Sequence, residues 1–205
     1  MSPLDNIISK STELFLRYGV KNLTMDDIAK QLGMSKKTIY LYVANKSELV
    51  LKVMQAHLDR EAVYIAEAKK TAKNAIEENI LMLTYMSKEV RSFNSTTFHE
   101  LQKYYPDSYA LFSEHREKVS LRHILNNLKT GIKEGWYRKD IDADIVSRIY
   151  VFALDILIDQ QRFPSNKYNF FVLYKEFLNY HLAGIVTPKG AKYLEQSKLL
   201  KSLMP

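Results

Sequence analysis

Apolar residues recur at three- and four-residue intervals along nearly the whole chain, and runs that alternate every second residue are few, so the pattern predicts helices throughout. Ser2-Pro3-Leu4-Asp5 has a cap, a proline at the first helical position and an acid at the positive end, and Ile7, Ile8, Leu14, Phe15 and Tyr18 follow at helical spacing up to Gly19. Thr24-Met-Asp-Asp27 is a capping-box pattern that opens a second, short helix with Ile28, Ala29 and Leu32 inward and Gly33 at its end. Ser35 caps a third helix two residues later, with Ile39 and Val43 inward. Asn45-Lys-Ser-Glu48 caps a fourth that runs into the low 70s. Further helices are expected from about 76 to 91, from Thr97-x-x-Glu100 to the break at Pro106, from there to near Gly135, and over 142–162 and 167–184.

Two short helices joined by Leu32-Gly33-Met34, preceded by one helix and followed by a capped fourth, make a helix-turn-helix with its supports. The outer face of the third helix carries Lys36, Lys37, Thr38, Leu41 and Tyr42, which supply cations, hydrogen-bond donors, a methyl group and a ring. A helix lying in a DNA major groove needs cations at its edges for phosphate and small or aromatic groups toward the bases. An ordinary short helix with a solvated charged face is the alternative. Lys36 and Lys37 can each serve guanine or phosphate, and the pattern leaves both roles open. The net charge of +7 favours a polyanionic partner, the more so because the excess is densest at the two ends of the chain.

The run TMDDIAKQLGMSKKTIYLYVANKSELV resembles the DNA-binding domain of the tetracycline-repressor (TetR) family, with its threonine cap, I-A-x-x-x-G core, S-x-x-T-[IL]-Y, aromatic pair and N-K-x-x-L. The resemblance covers about residues 4–50 and departs at Val43, an inward position where the family often has Phe. It implies that Thr24 and Met25 approach the DNA backbone at the start of the second helix, that Lys36, Lys37, Thr38 and Tyr40 face the groove with Ser35 at the cap, and that Tyr42 and Lys46 clamp phosphates. It also implies an all-α fold with a helix-turn-helix domain over 1–48, a larger helical ligand-binding and dimerisation domain over 49–187, and a basic tail over 188–205.

Beyond residue 50 the resemblance is one of architecture. RSFNSTTFHELQKYYPDSYALF is the richest aromatic stretch, and Phe93, Phe98, His99, Tyr104, Tyr105 and Phe112 sit where a TetR-like fold builds its ligand pocket, for an apolar or aromatic effector. Each ring is also suited to plain core. Residues 146–158 are apolar almost all round, and the helix after them has apolar residues on more than one face. Their burial calls for a second copy of the chain, in a four-helix interface that includes Ile149, Phe152, Ile156, Tyr174, Phe177 and His181. A pair of central helices within a monomer is the alternative. Arg148, Asp155, Asp159 and Arg162 form a polar stripe, read as an ion-pair ladder by its i, i+3 and i, i+4 spacings, or with Asp155 turned toward a ligand.

Cysteine is absent, so disulfides and thiolate metal sites are excluded and a cytoplasmic location is expected. The five histidines form no HxxxH or HExxH pair, and there is no phosphate loop or G-x-S-x-G elbow, so neither metal, cofactor nor enzymatic activity is expected. No window approaches the roughly 20 apolar residues of a membrane span. The resulting expectation is a dimeric regulator that binds a palindromic operator and responds to a small molecule. The alternative is a ligand-independent or architectural DNA-binding protein whose aromatic cluster is only core.

Overall fold

The computed structural model describes residues 2–90, 97–159, 161–164 and 166–197, with the backbone alone over 86–90. Phe93 lies outside the described residues. The elements are α1 (Pro3–Tyr18), α2 (Met25–Leu32), α3 (Lys36–Ile39), α4 (Lys46–Thr71), α5 (Ala75–Val90), α6 (Thr97–Tyr104), α7 (Pro106–His115), a π-helical turn (Arg116–Ser120), α8 (Leu121–Lys133), α9 (Ala143–Leu157), α10 (Phe170–Ile185) and α11 (Pro188–Gln196). Among the described residues no strand forms, and no helix is long and apolar enough to cross a membrane.

The helix starts follow the side chains that satisfy their free N–H groups. Ser2 with Asp5 and Thr24 with Asp27 form complete capping boxes, and Asp142, Asn169 and Thr187 cap α9, α10 and α11. Gly33 closes α2 in the left-handed region at φ 63°, where a residue with a Cβ would be strained.

By its packing the chain divides into two compact units, Met1–Glu61 with Ser92–His115 and Ala62–Arg91 with Arg116–Pro205. The first is built on Ile7, Phe15, Ile28, Ile39, Leu49, Leu58 and Leu101, so α6 belongs to the same core as α1 to α4. The second is built on Ile76, Ile80, Leu83, Leu128, Tyr137, Val151 and Leu178. Gly131 is required there, because a Cβ would stand 2.1 Å from the Tyr137 ring, which is fully buried.

A polar network lies inside the second unit. Asn79 Nδ2 donates to Asn127 Oδ1 (2.8 Å) and to the Tyr137 hydroxyl (2.9 Å), and that hydroxyl donates to Asn127 Oδ1 (3.1 Å). Asn127 Nδ2 donates to the Ala75 carbonyl (2.9 Å) and Glu78 Oε2 (3.1 Å), and His123 Nδ1 stands 3.3 Å from Glu78 Oε1. Burial raises both the Glu78 carboxyl and the Tyr137 phenol above their ordinary values, and the amides of Asn127 and Asn79 oppose the rise.

The stripe on α9 differs from the ladder expected of it. The helix ends at Leu157, which takes Asp159 and Arg162 off its face, and they pair with each other in the following turn. Arg148 pairs with Asp144 at 3.0 Å, and Asp155 with Arg116 of the π turn. Spacing alone could not show that a cation from another helix would claim Asp155.

His181 lies against the rings of Tyr150 and Phe177, and burial pushes its imidazole down to about 4. A histidine depressed in the folded state takes up its proton more readily when unfolded. Its contribution to stability is therefore complete above about pH 6.5 and is lost as pH falls toward 4. The urea midpoint should decline over that window, and His181→Phe should flatten the part between pH 6.5 and 5. A decline of unchanged size in the variant would assign the effect to other groups.

Candidate nucleic-acid interface

α2 and α3, both capped, adjoin at the Gly33 turn, and α4 begins ten residues after α3 does. Thr24 Oγ1 accepts from the Asp27 amide (3.1 Å) and donates to Asp27 Oδ2 (2.6 Å), which leaves Thr24 exposed at the N-terminus of α2. Met25 follows it with its side chain in the core at 7% exposure, so only its backbone is presented. Ser35 Oγ accepts from the Thr38 amide (3.0 Å) and shares a 2.7 Å hydrogen bond with the Thr38 hydroxyl, an arrangement that orients both groups.

α3 is a single turn, continued by tight backbone turns through Tyr40, Leu41 and Tyr42 that bring Val43 into the core. Its exposed side holds Lys36, Lys37 and Tyr40, with Leu41 beside them at 74% exposure. Lys36 Nζ is 2.8 Å from Asp26 Oδ2, and this carboxylate raises the ammonium above its ordinary value. That pairing links the heads of α2 and α3. The sequence pattern does not reveal it, because the two residues are ten apart and belong to different capping motifs. Leu41 shows in the sequence only as an apolar residue at an outward position.

At the head of α4, Asn45 Oδ1 accepts from the Glu48 amide (2.9 Å) and Glu48 Oε2 accepts from the Ala44 amide (2.6 Å). Tyr42 packs on the core and is half-buried. Lys46 is half-buried too, with Nζ 3.5 Å from the Lys21 carbonyl and 5.7 Å from the centre of the Tyr105 ring, and burial lowers its ammonium below the ordinary value.

The aromatic candidates for a ligand site divide between the units. Phe98, Tyr105 and Phe112 pack on the core of the first unit, with the Phe98 and Phe112 rings 4.8 Å apart, and this packing accounts for them as core. His99 and Tyr104 are exposed on α6. Asp155 belongs to the second unit and is engaged by Arg116.

On α9, Ile145, Ile149, Phe152 and Ile156 form one exposed apolar stripe at 55, 62, 36 and 50% exposure. Val172 and Tyr180 are exposed on α10, two positions the sequence pattern did not single out. Tyr174 is different: it is 4% exposed, with its hydroxyl 2.9 Å from that of Tyr150, so it belongs to the core of its own chain. Phe177 and His181 are half-buried against Tyr150.

A short capped helix held by a glycine turn on a helical core, with a basic exposed side, defines a DNA-binding protein of the helix-turn-helix class. Residues 7–53 match the family described as bacterial regulatory proteins, tetR family. It is 24% identical over 194 residues to the HTH-type transcriptional repressor KstR2 of Mycolicibacterium smegmatis, across 92% of this chain and 93% of the relative. Among solved structures, it resembles the transcriptional regulator FadR of Bacillus subtilis, solved in complex with stearoyl-CoA (TM-score 0.64, 20% identity, 88% of this chain and 98% of the other). It also resembles a transcriptional regulator of Saccharomonospora viridis in complex with choline (TM-score 0.73, 19% identity, 90% and 97%). The chain is a DNA-binding regulator of transcription.

Proposed function

We propose that the protein is a ligand-responsive repressor that binds a palindromic operator as a homodimer in the cytoplasm and is released or modulated by a small apolar or aromatic molecule. The exposed stripe Ile145, Ile149, Phe152 and Ile156 carries this reading. Four large apolar side chains on one face of a helix are costly to leave in water, and a two-fold axis beside them would cover each stripe with its copy. Val172 and Tyr180 extend the same surface in this reading, with Phe177 and His181 at its edge. Two reading heads then engage half-sites one helical turn apart, roughly 34 Å, and an effector that favours another spacing weakens binding.

In each head Thr24, Met25 through its backbone, Ser35, Tyr42 and Lys46 position the phosphate backbone, while Lys36, Lys37, Thr38 and Tyr40 face the groove. The relatives solved with stearoyl-CoA and with choline support a small-molecule effector. A thermal-shift screen of metabolites and lipids, followed by operator affinity with each compound that shifts the midpoint, tests this. Compounds that stabilise the protein and leave operator affinity unchanged would favour a DNA-binding protein without a switch.

Lys37→Ala combined with Tyr40→Ala should narrow the gap between operator and random duplex by about tenfold, within the ~1–3 kcal/mol of one good base contact. Fluorescence anisotropy on both duplexes decides it. An equal fall on both would limit these side chains to positioning.

A further inference from the structure

The cationic surface of the first unit continues onto α6. Glu100 is 7% exposed, and its Oε2 accepts from the backbone N–H of Val20 (2.7 Å) and Lys21 (2.9 Å), which ties the α1–α2 loop to α6. With the loop so held, Lys21 Nζ stands 5.1 Å from the centre of the Tyr104 ring, and Lys103 Nζ stands 5.4 Å from the same ring. The ring is 41% exposed, and the two ammonium groups, Lys21 first, lower its phenol. Lys46 at the head of α4 joins this group through the Lys21 carbonyl and Tyr105, the next residue after α6. Among the described residues neither Lys21 nor Lys103 forms an ion pair with a carboxylate.

We propose that Lys21, Lys103 and Tyr104 form a second phosphate-binding surface that engages the DNA backbone flanking the stretch read by α3, and that Glu100 is the positioning residue that holds Lys21 against α6. The inference rests on the DNA-binding reading and enlarges its footprint. Two ammonium groups and a phenol present donors and positive charge to a phosphodiester, and their continuity with Lys46 places them beside a helix head assigned to the same backbone. Nothing in the cluster distinguishes one base from another, so its contribution is general to sequence.

The test is anisotropy at several salt concentrations, on a long duplex and on one trimmed to the half-sites. Lys21→Ala with Lys103→Ala should reduce the salt slope on the long duplex by about 2, roughly 0.9 for each phosphate no longer neutralised, and weaken binding about tenfold or more at low salt. The trimmed duplex should bring the unaltered protein to nearly the same slope. Tyr104→Phe should weaken binding to operator and random duplex alike. Glu100→Ala should accelerate amide exchange at Val20 and Lys21 and lower the slope, whereas Glu100→Gln, whose amide oxygen still accepts, should restore most of both. A slope that stays unchanged in the double variant, while the unaltered protein binds DNA, overturns the surface. Unaltered exchange in Glu100→Ala overturns the positioning role. Failure of the unaltered protein to bind any duplex would instead remove the DNA-binding reading itself.

Discussion

Ile149→Glu is expected to convert a dimer into a folded monomer and to lower operator affinity by about 10²- to 10⁴-fold, the advantage that linking two reading heads confers. Ile149 is 62% exposed on its own chain, so a glutamate there is solvated and leaves the helical core intact. Covered by its copy, the same carboxylate would be buried without a partner at a cost of several kcal/mol, and two-fold symmetry imposes that cost twice. Sedimentation equilibrium reports the mass, and circular dichroism reports the fold. Binding of random duplex by each separate head should persist at reduced affinity. A folded Ile149→Glu protein that remains dimeric would remove the α9 stripe from the interface. Phe177→Glu is a less clear probe, because the Phe177 ring lies 5.2 Å from that of Tyr150 and its replacement disturbs the chain's own core.

Asn127→Ala should be a strongly destabilising truncation in the second unit. It removes four hydrogen bonds at once, two accepted from Asn79 and Tyr137 and two donated to Ala75 and Glu78. Asn79 and Tyr137 keep the bond between them, but the Ala75 carbonyl and the Glu78 carboxyl each lose a donor inside the protein. At about 1–3 kcal/mol for a buried polar group left without its partner, the expected loss is about 3 kcal/mol, or roughly 10 °C in Tm for a chain of this size. Urea unfolding measures it. A loss below about 1 kcal/mol would mean that solvent enters and replaces the amide. The Glu78 carboxyl, already raised by burial, should rise further without the Asn127 amide, so the variant should lose an additional margin of stability as pH increases.

The helix-turn-helix was legible because each of its boundaries is a local event. Ser2 with Asp5, Thr24 with Asp27, Ser35 and Asn45 with Glu48 bind amides no more than four residues away, so their spacing in the sequence is already their geometry. Of the outer face expected for α3, Lys36, Lys37 and Leu41 are exposed, while Thr38 is half-buried and Tyr42, past the end of the helix, packs on the core. On α9 the apolar period singles out Ile149, Phe152 and Ile156, which are exposed, whereas on α10 the same reading admitted Tyr174, which hydrogen-bonds to Tyr150 inside its own chain. An apolar residue at helical spacing indicates burial without indicating which neighbour covers it.

The aromatic stretch around Pro106 shows where local reading stops. Phe98, Tyr105 and Phe112 have the composition of a ligand pocket, and only the return of α6 and α7 onto α1 to α4 makes them part of the first unit's core. Glu100 reads as the end of a capping box, yet its carboxylate binds amides about eighty residues away. Asp155 reads as one rung of a ladder and meets Arg116 instead.

By itself the sequence determined the helical class, the starts of α1 to α4 and the basic exposed side of α3, because each depends on contacts within a turn or two of chain. The tertiary structure alone decided that α6 joins the DNA-binding unit, that Glu100 holds the α1–α2 loop, and that Glu78, Asn79, Asn127 and Tyr137 share one buried network. Those pairings join residues far apart in the chain, and a buried donor or acceptor takes whichever partner the packing of helices brings within reach.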